Sequence, residues 1–120
     1  WLTGTSPNDP EVLVVDEDIL DAAGFPPGIQ AQFTSLADGA IRRTCVVPGK
    51  RGSGMAEVYG SGAKHISAGT RLVTLAETWL SFEDAAKLAA TVGGPQVAFF
   101  DESRTDRNVI REIKSGWRPA

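Results

Sequence analysis

The 120 residues, 42% apolar and 22% charged, match the size and usage of one globular domain and exclude a disordered chain. No apolar run nears the roughly 20 residues of a membrane span, and the acidic balance of −3 argues against a dedicated duplex-DNA binder. With Cys45 the only cysteine and His65 the only histidine, an intramolecular disulfide is impossible and a structural zinc site is not expected.

In chain order, residues 1–10 are rich in Gly, Ser, Pro, Asn and Asp and read as an extended lead-in to a single domain over 11–120. Val12 to Val15 is a short β-branched run, expected as a buried strand. Asp16 can cap a following helix whose first turn holds Glu17 and Asp18, and Gly24 with Pro26-Pro27 stops it. Gln30 to Phe33 fits either a strand or a helical turn, because Ile29, Phe33 and Leu36 also have helical spacing.

Arg43, Cys45 and Val47 alternate with Arg42, Thr44 and Val46, as a strand requires. Cys45 reads there as a small buried hydrophobe. Met55 to Tyr59 and Leu72 to Leu75 are further strands, separated by the glycine-rich stretch 60–65. Ser81 can cap a helix with Asp84 three residues on, Phe82, Ala85, Ala86 and Ala89 forming one face and Gly93-Gly94-Pro95 ending it. Trp79, just before it, is expected in the core. Gln96 to Phe100 is a strand, and Thr105 is expected to cap a C-terminal helix carrying Val109, Ile110 and Ile113. Short strands with short connections make a small barrel or sheet with helical additions the economical architecture, mainly β.

Charge is segregated along the chain. Residues 1–39 hold seven acids and no lysine or arginine, whereas 40–71 hold six bases against Glu57. That pattern either steers an anionic substrate or lets the acidic third fold against the basic third. A cytoplasmic location is the expectation, the free thiol suiting a reducing compartment.

Several segments resemble aspartate 1-decarboxylase, in the same order. Asp16-Glu17-Asp18-Ile19-Leu20-Asp21-Ala22-Ala23-Gly24 resembles that family's Asp-x-Asp-Phe-Leu-Asp-Ala-Ala-Gly helix. Arg51-Gly52-Ser53-Gly54 resembles its Arg-Gly-Ser turn, residues 60–65 its Gly-Ala-Ala-Ala-His stretch, and residues 96–100 its Asn-Val-Ala-Tyr-Phe. The resemblance covers roughly residues 12–100. It implies a double-psi β-barrel, a homotetramer with sites between subunits, and a small acidic amino acid as substrate. In that family a Gly-Ser peptide cleaves itself and the serine becomes a pyruvoyl group, whose carbonyl forms a Schiff base with substrate and accepts electrons.

The same comparison places Glu11 and Val12 where the Gly-Ser pair stands, so no pyruvoyl group is expected there. Ile41 falls at the substrate-binding arginine, Cys45 at a tyrosine, Tyr59 at an asparagine, while Thr44 matches a threonine. The family's first strand, with its substrate-site lysine, finds no counterpart ahead of Trp1.

The residues still able to do chemistry are few. Arg42 or Arg43, with Thr44 beside them, could bind a carboxylate through a guanidinium fork. His65 is the side chain whose free pKa lies nearest neutrality, and Tyr59 and Glu57 are possible proton partners. Lys50, Arg51 and Lys64 in glycine-rich loops match no phosphate motif and read as ordinary turns. Three functions stay open: an enzyme acting on a small carboxylate-bearing, amino-acid-like substrate without pyruvoyl, a non-catalytic assembly subunit, and a true aspartate decarboxylase whose cofactor segment lies elsewhere.

Overall fold

Hydrogen-bonded pairing of the short β-branched segments organises the chain, and the computed structural model describes residues 1–77, 79–92 and 95–119. Strands β1 (Gly4–Ser6), β2 (Val12–Asp16), β3 (Gln30–Ser35), β4 (Ile41–Gly49), β5 (Ala56–Tyr59) and β6 (Leu72–Ala76) form one sheet, ordered β1-β5-β2-β4-β3-β6. Pairs β1–β5 and β2–β4 are parallel and the rest antiparallel. The segments just ahead of the two edge strands meet: Leu2 donates to the Thr70 carbonyl at 2.9 Å and accepts from the Gly69 amide at 2.7 Å. This mainly β architecture with short helices is the expected fold class and is consistent with the double-psi β-barrel.

One face of each strand fills the interior. Leu2, Leu13, Leu20, Ala31, Phe33, Val46, Val58 and Ala63 form the core. Helix α1 (Glu17–Ala23) closes one end, burying Ile19 and Leu20, and stops at Gly24, whose φ of 76° only glycine adopts without strain. The open choice at Gln30–Phe33 resolves as strand, because β4 and β6 flank it and satisfy its backbone.

Within residues 1–10, Gly4–Ser6 pairs with β5, and Leu2 is fully buried. Three expectations are corrected. The C-terminal helix is instead strand β8 (Ile110–Lys114), which forms a separate hairpin with β7 (Val97–Phe100). The spacing of Val109, Ile110 and Ile113 suits either state, and the partner strand decides. Trp79 is 99% exposed rather than in the core. Cys45 is exposed, since Val46 takes the inward position and its neighbour must face out.

Ser81 does cap α2 (Phe82–Val92), its hydroxyl accepting from the Asp84 amide at 3.1 Å. The Gly93-Gly94 stop lies outside the described residues. Trp1 is clamped within the chain, its indole N–H donating to the Asp101 carbonyl at 3.1 Å with Arg71 over the ring. Asn108, buried, ties the hairpin to the sheet by donating to the Trp1 and Gly54 carbonyls at 2.8 and 3.1 Å.

Candidate active site

The first group to consider is Asp16, which is 3% exposed and sits where β2 becomes α1. Its carboxylate accepts from the amides of Gly54, Asp18 and Gly52 at 2.7, 2.8 and 3.1 Å. Burial pushes this carboxyl up, but the backbone amides of Gly54, Asp18, Gly52 and Ile19 together hold it below the usual value. Arg51, in the same turn, binds Glu17, Asp18 and Asp21 at 2.9, 2.7 and 2.8 Å, and these partners keep it cationic. The acidic third therefore folds against the basic third here. With both Asp16 oxygens accepting from backbone amides and Arg51 held by three acids, this unit is scaffold.

The second group lies at the start of β2. The Thr44 hydroxyl donates to the Glu11 carbonyl at 3.3 Å. Gly60, at φ 101°, packs so closely that a Cβ there would meet Glu11 Cα at 2.7 Å. Glycine is required on both counts.

Strand register then sorts the surrounding residues by face. Val12 pairs opposite Tyr59, and Leu13, level with Val46, points into the core beside Val58. Val12 and Tyr59 therefore point outward, and one step before Leu13 the parallel ladder brings Val12 level with Cys45. Ile41 and Arg43 share the outward face of β4 with Cys45. The positions matched by resemblance to the family's serine, arginine, tyrosine and asparagine (Val12, Ile41, Cys45 and Tyr59) thus lie on one face of three adjacent strands. Neighbouring strands are spaced by ~4.8 Å, so one small molecule could span the row of Tyr59, Val12 and Cys45, with Arg43 one alternate step of ~6.8 Å along β4 and Ile41 two such steps away.

The predicted substrate-binding trio is split by this face rule. Arg43 is exposed on the outward face, whereas Arg42 and Thr44 share the inward face. Arg42 stands opposite Phe33, and its side chain crosses Gly62, where a Cβ would meet Arg42 Cδ at 3.0 Å. Neither arginine has an ion pair among the described residues. Tyr59 donates to Glu57 Oε2 at 3.2 Å, and that hydrogen bond together with the carboxylate charge pushes its phenol up. His65 is exposed at the end of a 3-10 turn (Ser61–His65), and among the described residues no contact brings it to the other candidates. No cluster of side chains that could hold a metal occurs among the described residues.

A cavity of about 560 Å³ lies elsewhere, between the sheet and the β7–β8 hairpin. Phe25, Leu72, Leu75, Phe99 and Phe100 help line it, and none of Arg42, Arg43, Thr44, Tyr59 and His65 does. Sequence reasoning missed it because its walls come from segments distant along the chain.

The sequence model of the family described as aspartate decarboxylase matches residues 10–105. The chain belongs to that family. An aspartate 1-decarboxylase of Porphyromonas gingivalis is 33% identical over 86 residues, covering 72% of this chain and 73% of the relative. Another, from Bacillus subtilis, is 32% identical over 101 residues, covering 84% and 72%. A third, from Bacillus velezensis, is 31% identical over 108 residues, covering 90% and 77%. The family's match includes both the Asp16 scaffold and the altered outward face.

Proposed function

We propose that this family member binds a small carboxylate-bearing, amino-acid-like substrate on the outward face of β5, β2 and β4 and acts on it without a pyruvoyl group. The observation that carries the reading is the shared face of Val12, Ile41, Cys45 and Tyr59, with Arg43 two residues from Ile41 and facing the same way. A guanidinium displaced by two strand positions still reaches the same surface, and it offers a bidentate fork to a carboxylate. Tyr59, held protonated by Glu57, is the proton donor nearest that surface. Thr44 positions the Glu11 carbonyl, and Arg42 supports the Gly60–Gly62 turn from inside. His65 is left as a second proton carrier, on the far side of that turn.

Pyruvoyl formation requires a side-chain oxygen on the residue after the scissile carbonyl. Val12 has none, so the peptide that Thr44 holds cannot rearrange to an ester. Family membership supports a second reading, aspartate decarboxylation with the reactive carbonyl supplied by another chain. A homotetramer, with sites shared between subunits, is part of either reading.

Titration calorimetry with L-aspartate, β-alanine and succinate tests the site. Arg43→Ala should weaken binding at least ten-fold, with Arg42→Ala changing it little. Loss that tracks Arg42 alone would move the site to the inner face and end this reading. Intact mass should show one uncleaved 12.7 kDa chain inert to carbonyl-trapping reagents. A trapped carbonyl on this chain would instead restore pyruvoyl chemistry.

A further inference from the structure

We infer that α2 with its preceding Trp79 is an exchange arm, docking into the apolar groove between β6 and the β7–β8 hairpin of a second copy of this chain. The proposal does not depend on the catalytic reading.

The arm is amphipathic, yet its apolar side is exposed. Phe82, Ala85, Ala86 and Ala89 share one side, with Glu83, Asp84 and Lys87 on the other. Every residue from 82 to 90 is exposed, Phe82 at 98%, and Trp79 just ahead of it at 99%. Exposing two large aromatics together is costly for a lone domain and marks a contact surface.

The groove is the matching half. Leu72 and Thr74 face the core side of β6 while Val73 and Leu75 face the other, and all four line the cavity. The groove therefore follows the outer edge of β6, which among the described strands pairs with β3 alone. Val73 and Leu75 are 53% and 47% exposed, and Phe99 and Phe100 form the opposite wall. Its rim charges are already neutralised within the chain, Arg71 by Glu102 at 2.8 Å and Arg111 by Glu112 at 3.9 Å, so the groove offers an apolar seat.

The second copy is selected as occupant by topology and area. α2 connects β6 to β7, the two walls of the groove, so the arm is attached at the groove's own rim. When two chains meet mouth to mouth about a two-fold axis, each arm lies over the other's groove. Each buried aromatic contributes roughly 150–250 Å². Two per chain, counted twice for the reciprocal exchange and again for the groove surface they cover, reach the ~1,200 Å² of a stable interface.

The test uses full-length chains in a Cys45→Ser background. Chains carrying Phe82→Cys are mixed with longer-tagged chains carrying Leu75→Cys and oxidised gently. A disulfide joining the two different masses is expected. If the bond forms only within a chain bearing both cysteines, the arm folds on its own groove and the proposal falls. Light scattering gives an independent reading. Trp79→Glu with Phe82→Glu should lower the assembly's mass at least two-fold while the circular dichroism spectrum is retained, and an unchanged mass overturns the exchange.

Discussion

Two regions at opposite ends of β2 are built in opposite ways. The Asp16 unit keeps the family's helix and turn motifs, and nearly every polar atom in it has a partner: three amides on one carboxylate, three carboxylates on Arg51. The outward face of β5, β2 and β4 carries Val12, Ile41, Cys45 and Tyr59, the positions that the sequence resemblance matches to the family's serine, arginine, tyrosine and asparagine. The first region determines whether the chain folds, since a buried carboxylate and its amides must be satisfied together. The second determines what the fold does, and side chains on an outward face can change without cost to the core.

The largest change should come from restoring the lost pair. Glu11→Gly with Val12→Ser places a hydroxyl beside the carbonyl that Thr44 holds, and intact mass should then show conversion into two fragments, 1–11 and 12–120. A permanently intact double variant would show that the outward face has lost more than its side chains. Next comes Asp16→Ala, which strands the amides of Gly54, Asp18 and Gly52. It should cost about 3 kcal/mol in urea unfolding.

The same group sets an acid limit. Its folded carboxyl titrates below the unfolded value of about 3.9, so its contribution is whole above that pH and is lost as pH falls through the folded value. Asp16→Asn should flatten this acid transition. Gly60→Ala forces a Cβ against Glu11 at a positive φ and should cost about 2 kcal/mol. The smallest effect is Arg51→Ala, whose partners are all partly exposed. Its melting shift should be well below that of Asp16→Ala and should fade in molar salt.

Local chemistry made much of this legible. The Asp16 cap, the Gly24 stop, the Ser81 cap and the alternation along β4 are short-range signals, and each is realised. What could not be read required distant partners. Residues 110–114 become strand because residues 97–100 lie beside them. Leu2 is buried where residues 69 and 70 bond to it from far along the chain, and Trp79 is exposed because a helix needs a surface to pack on, not only a face. For the site, sequence supplied the residue types, but which of Arg42 and Arg43 faces outward is a matter of register. That was fixed only once Leu13 and Val46 were seen level in the core.

The join at Leu2 also bears on how the chain is made. Residues 2–6 leave the ribosome well before their hydrogen-bonding partners at 56–59 and at 69–70. Until those emerge, the segment has nothing to pair with and its leucine stays wet. This pairing is thus a late, long-range event, and contacts of that span slow folding. A pause in translation before residue 70 should leave a nascent chain that proteases cut ahead of β2, and release past that point should protect it.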